Sequence, residues 1–219
     1  MIEKKEVLRY LGHKNQQIPQ DMQRLIDEII RLCEEISVPR YVCRVFDISV
    51  GEGGRREVLV LNTPLILLGD TAFCHLSGCK KVIVLAATLG EGFEKEKRRL
   101  DVSDKTASLI FDACANDMIE KVCNKAQEEI ARELKDDKIE DAVRFSPGYG
   151  DLSLDYQRDI IRILDAQKKI GLNLSTDLVL MPQKSVTALI GIGFLEKDER
   201  TKNNCETCNK KDECSYKRR

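Results

Sequence analysis

The chain reads as a mixed α+β domain, a mainly antiparallel sheet packed with several helices, and three observations lead there. Apolar residues recur at helical spacing over two long segments, 22–36 and 105–134, so each offers one side to a core. Shorter segments at 41–48, 58–61, 177–181 and 185–192 have the composition and length of strands. The run from Lys81 through Ala87 is almost unbroken in apolar residues, as in a strand covered on both faces. With 219 residues there is chain enough for one domain with a real core. That domain is expected over 1–195, followed by a charged, cysteine-containing tail over 196–219.

Residues 2–11 form a short amphipathic helix with Val7, Leu8 and Leu11 on one side, stopped at Gly12. After Pro19 a stronger helix carries Met22, Leu25, Ile26, Ile29, Ile30, Cys33 and Ile36, and Pro39 closes it. Cys33 on that apolar side reads as a small core residue. The strands 41–48 and 58–61 are partners across Gly51-Glu52-Gly53-Gly54, a hairpin connection. No Lys-Ser/Thr pair follows those glycines, which argues against a phosphate loop. Thr63-Pro64 then opens an expected helix over 65–76 that contains Cys74 and His75.

Thr88-Leu89-Gly90 ends the buried strand, and a charged helix over 91–101 leads into the long helix. The expected stripe of that helix is Ile110, Cys114, Met118, Val122, Ala126, Ile130 and Leu134, with Cys123 on its flank. Glu120 lies one step off the stripe, where a carboxylate reaches either a cleft or open water. A later helix has Ser153 as its cap, Asp155 and Asp159 early, Tyr156, Ile160, Ile163, Leu164 and Ile170 inward, and Gly171 just past its end. Pro182-Gln183-Lys184 joins the last two strands.

Composition excludes more than it selects. Lys+Arg 36 against Asp+Glu 37 gives a net charge of -1, with nothing to draw the chain to nucleic acid or an anionic membrane. No apolar run approaches the roughly 18 residues that span a bilayer. Residues 1–6 lack the apolar stretch of a secretory signal, so nine cysteines fit a reduced, cytoplasmic setting with buried thiols or metal ligands. Two histidines, His13 in an exposed polar stretch and His75, offer little for acid–base or nucleophilic catalysis.

One stretch stands apart: Arg144-Phe145-Ser146-Pro147-Gly148-Tyr149-Gly150. Arg144 can grip a carboxylate with two hydrogen bonds, Pro147-Gly148 make a tight corner, and Tyr149 offers a flat face to a base or a cation. A small zwitterion carrying a purine, such as S-adenosylmethionine, suits that set. The plain alternative pairs Arg144 with an internal acid and packs Tyr149 in the core.

The runs RFSPGYGDLSLDYQ, ILDAQKKIGLNLS and MPQKSVTALIGIG, in that order, resemble the activation domain of cobalamin-dependent methionine synthase, and more closely its short free-standing relatives. Upstream, KEVLRYLGHK, CHLSGCKKVIVLAATLG and FDACANDMIE extend the resemblance over most of 4–193. The resemblance implies that Arg144, Gly148 and Tyr149 match the Arg-x-x-x-Gly-Tyr motif for S-adenosylmethionine. It implies contacts from the Ser146–Tyr149 backbone and places Glu120 close to the ligand. The implied role is a reactivation module, in which oxidised cob(II)alamin on a methionine synthase subunit or other corrinoid methyltransferase takes one electron and is remethylated. The chain has no Asp-x-His-x-x-Gly motif, so the corrinoid must arrive on a partner protein. The family's tyrosine-containing stretch after the last strand is replaced here by Phe194, Leu195 and charged residues such as Asp198.

The tail holds Cys205-x2-Cys208-x5-Cys214, three thiols spaced as in part of a zinc or iron–sulfur site. Cys74, His75 or Cys79 is the expected source of a fourth ligand, and a reduced tail without metal is the alternative. A cluster in that tail would make the chain an electron-relay module that docks a corrinoid protein.

Overall fold

The structure, a computed structural model, describes residues 2–14, 16–51 and 55–193. Its frame is an antiparallel sheet of β1 (Arg40–Val50), β2 (Glu57–Val60), β3 (Ile66–Leu68), β4 (Lys81–Thr88) and β7 (Ser185–Ile192). The strands lie in the order β3-β2-β1-β4-β7, and each neighbouring pair is antiparallel. β4 is flanked along its whole length by β1 and β7, which explains its continuous apolar run. Alternate side chains leave opposite faces. Leu85 and Ala87 join one core, Val82, Val84 and Ala86 another, and Ile83 a smaller third cluster.

Helices cover both faces. On one lie α1 (Lys4–Tyr10), α2 (Gln20–Ile36), α4 (Glu91–Ser103) and the long α5 (Lys105–Leu134), packed through Ile26, Cys33, Phe93 and Phe111. The Phe93 and Phe111 rings meet at 5.0 Å in a tilted pair. On the other lie α3 (Asp70–Leu76), α6 (Tyr156–Leu164) and α7 (Ala166–Ile170), with Leu76, Ile160 and Leu164 inward. The mixed α+β reading is therefore the architecture observed.

Several elements fall where expected. α5 begins after Asp104, whose carboxylate accepts the Ala107 amide at 3.0 Å, and ends at Lys135 in the left-handed region. The hairpin joining β1 to β2 forms, with the Gly51 amide donating to the Glu57 carbonyl at 2.9 Å.

Others differ. The helix expected over 65–76 begins only at Asp70, and its first part is strand β3. Leu65 and Leu67 are buried while Ile66 and Leu68 face water, a period of two that a wholly apolar run conceals. The single α5 stripe widens into an arc: Ala107, Phe111, Ile119 and Cys123 are buried, Met118 and Val122 only half so, and Leu134 is exposed. The cause is that α5 packs against α1, α2 and α4 as well as the sheet. The helix expected to run to Gly171 breaks at Asp165, with φ 54°, into α6 and α7. Ser153 sits just ahead of α6, its hydroxyl accepting the Asp155 amide at 3.2 Å. The strand expected at 177–181 shrinks to β6 (Leu180–Met181), paired with β5 (Asn173–Leu174), because Leu178 turns at φ 62°. His13 is half-buried instead of exposed, with Nε2 2.8 Å from the Gln16 carbonyl. Among the described residues no helix is long and apolar enough to cross a membrane.

Candidate functional site

The Arg144–Gly150 stretch runs along the outer edge of β7. Phe145 makes an isolated antiparallel bridge there: its amide donates to the Leu189 carbonyl at 2.9 Å, and the Leu189 amide returns a bond at 2.7 Å. That bridge fixes where the flanking arginine emerges. Beyond it the chain folds into a compact turn. The Tyr149 amide donates to the Ser146 carbonyl at 3.2 Å, and the Gly148 amide donates to the Leu152 carbonyl at 2.8 Å. Gly148 adopts φ 94°, a conformation that side chains resist. Gly150, at φ 57°, lies so close to Thr71 that a Cβ would stand 2.3 Å from its Oγ1. Asp151 then secures the turn to the start of α3, its carboxylate accepting the amides of Asp70 at 2.6 Å and Thr71 at 3.0 Å. These bonds hold the carboxyl below the usual range, the Thr71 hydroxyl contributing most and the backbone amides next.

Arg144 points toward α5. Its Nη2 donates to Glu120 Oε2 at 2.5 Å, while Nη1 donates to Asn124 Oδ1 at 2.8 Å and to Gln127 Oε1. Positions 120, 124 and 127 follow the helical repeat, so the three acceptors form one face. Gln127 is buried, and its Nε2 donates to the carbonyls of Ile139 at 2.9 Å and Ala142 at 3.0 Å. The arginine is thereby tied to the connector that follows α5. Beside it, burial pushes the Cys123 thiol up to about 12, with Glu120 adding and Arg144 opposing, so this sulfur is no nucleophile.

Adjacent to Glu120 is a groove of about 290 Å³. Tyr10 of α1, Asn116 and Glu120 of α5, and Lys184, Ser185 and Val186 at the start of β7 line it. Lys184 Nζ is held 3.0 Å from Asp112 Oδ1 and 3.1 Å from Asn116 Oδ1. Asp112 also lies 3.7 Å from Lys97 Nζ, which pairs with Asp101 at 2.5 Å. One wall of the groove thus carries a carboxylate and another an ammonium.

The expected site residues are gathered only in part. Arg144 and Glu120 meet directly, and Ser146, Gly148 and Tyr149 form the neighbouring turn. The Tyr149 side chain is exposed, not in the core. Arg144 does not line the groove. Sequence reasoning passed over Asn124, Gln127, Tyr10 and Lys184. The only sequence signal was the 120–124–127 repeat, two of whose members are uncharged amides. Cys205, Cys208 and Cys214 lie outside the described residues. Among the described residues no group of three or more His, Cys, Asp or Glu is placed to hold a metal ion. The His75 ring packs on Phe145, centroids 5.1 Å apart.

No family model matches the sequence, and no curated protein does. Among solved structures the chain is similar to the crystal structure of the MetH reactivation domain bound to AdoHcy, with a TM-score of 0.59 at 16% identity. The likeness covers 83% of this chain and 68% of that one. The chain therefore has the fold of that reactivation domain: an antiparallel sheet with helices on both faces.

Proposed function

We propose that this chain binds S-adenosylmethionine in the groove beside Glu120 and serves as a reactivation module for a cobalamin-dependent methionine synthase or other corrinoid methyltransferase. The observation that carries this reading is the shared fold, over 83% of the chain, with a domain solved with AdoHcy bound. Fold alone does not set function, so the groove must also suit the ligand. Its volume of about 290 Å³ lies just below the ~300–1,000 Å³ of small-molecule sites, enough for the amino-acid end while adenosine extends outward. An acid and a cation on its walls complement a zwitterion. Arg144, bonded to Glu120, Asn124 and Gln127, positions the acid.

S-adenosylmethionine supplies an electrophilic methyl when bound, and the corrinoid, carried by a partner and reduced by an electron donor, supplies the nucleophile. This chain's part is to bind, orient and exclude water. Titration calorimetry with S-adenosylhomocysteine tests the reading. Wild type is expected to bind, and Arg144→Ala, which releases Glu120, to bind at least ~tenfold more weakly. Absence of heat from wild type at millimolar ligand, or equal affinity in the variant, overturns it.

A further inference from the structure

We propose that the chain carries a structural zinc site of four thiolates: Cys74 from the folded domain, with Cys205, Cys208 and Cys214 from the segment beyond it. The site stands apart from the S-adenosylmethionine reading and does not depend on it. The cysteines fall into two kinds. Cys33, Cys79, Cys114 and Cys123 are buried, where a thiol serves as a small apolar side chain. Cys205, Cys208 and Cys214 have no such explanation. Between Glu196 and Arg219 the sole aliphatic or aromatic residue is Tyr216, so the segment has no apolar company of its own in which to bury sulfur. Cys205-x2-Cys208 is one half of a zinc site, in which neighbouring turns aim two sulfurs at one ion. Cys214 departs from the tight C-x2-C-x2-C run of bacterial ferredoxins, which favours zinc over an iron–sulfur cluster. A closed structural site takes four ligands. The folded part must supply the last one.

The fold singles out Cys74. It is the one exposed cysteine among the described residues, in the last turn of α3. Cys43 is half-buried in β1, and burial pushes its thiol up to about 11, away from the thiolate that a metal needs. The end of α3 also lies where the chain leaves the sheet. The Lys80 amide donates to the Ile192 carbonyl at 3.1 Å, and a Cβ on Gly193 would stand 3.4 Å from Lys80 Cβ. Gly191 passes so close to Cys79 that a Cβ there would stand 2.5 Å from its sulfur. From Lys80, Cys74 is six residues back, at most ~22 Å away. From Gly193, Cys205 is twelve residues on, a reach of ~40 Å. The circuit closes with slack. Each thiol gives up its proton to solvent as it takes the ion, and no electron moves.

The full chain, purified without chelator, should carry about one zinc per chain by elemental mass analysis, or take it up from added zinc. In competition with a chromophoric chelator, Cys74→Ser and Cys208→Ser should each hold zinc at least ~tenfold more weakly than wild type. Cys43→Ser should match wild type. Cobalt(II) in place of zinc reads the sulfurs directly, because thiolate-to-cobalt absorption grows with the number of thiolates. Cys74→Ser should lose about a quarter of it. Alkylation of wild type avoids reliance on any variant: Cys74, Cys205, Cys208 and Cys214 should resist together and react together once zinc is stripped. Wild type that neither carries nor takes up zinc, a brown sample with iron and sulfide, or cobalt absorption unchanged in Cys74→Ser overturns the assignment.

Discussion

Asp151 shows how one side chain can carry the position of a whole loop. Its carboxylate receives amides from the first turn of α3, a segment eighty residues earlier, and so ties the Gly148–Gly150 turn to that helix. Its folded pKa is lowered, so its contribution is present above the unfolded value near 3.9 and is lost as pH falls through the lower folded value. Asp151→Asn removes one of the two acceptors and should cost about 1 kcal/mol at neutral pH, and the loss should shrink on acidification below about pH 4. Thermal melts of both proteins from neutral to acid pH check this; a gap that widens in acid contradicts it. The same scale shows where sequence reading stops. Arg144 drew notice through its setting beside a Pro-Gly corner, but its acceptors did not. Asn124 and Gln127 are uncharged, and only tertiary packing brings the loop guanidinium over their face of α5.

Among the elements, the instructive one is β3. Leu65, Ile66, Leu67 and Leu68 are all apolar, so no polar residue marks the alternation that separates strand from helix. The structure makes a sharp distinction between neighbours: Leu67 is 0% exposed and Ile66 47%. Leu67→Ala should cost ~2–5 kcal/mol, whereas Ile66→Ala should cost well under 1 kcal/mol by comparison. Urea titrations of the two variants decide it, since a helix over this stretch would not alternate so abruptly. β4 and α5 were legible because each is long and strongly patterned, and the hairpin because glycines punctuate it. The break at Asp165 was not, since a non-glycine residue in the left-handed region leaves no mark in composition. The strand order was equally silent: β7, drawn from the chain's far end, pairs with β4 across a hundred residues.

For the molecule as a whole, the double layer of helices explains why the groove forms at a rim. Both sheet faces are filled by side chains, so the groove lies at the seam where α1, α5 and the start of β7 converge. The same filling has a consequence for sulfur chemistry. Cys33, Cys79, Cys114 and Cys123 are all buried, whereas Cys74 meets solvent. Burial raises the Cys123 thiol, and the Cys33 thiol goes up too, through its bond with Cys114 and then burial. Alkylation of the zinc-stripped protein under native conditions, followed by peptide mapping, should therefore modify Cys74 early, and Cys33, Cys114 and Cys123 late and in step. Early capture of any of those three would contradict the layered interior described above. Their shared lag times how often the two-sided sandwich comes apart, with no dye or isotope introduced.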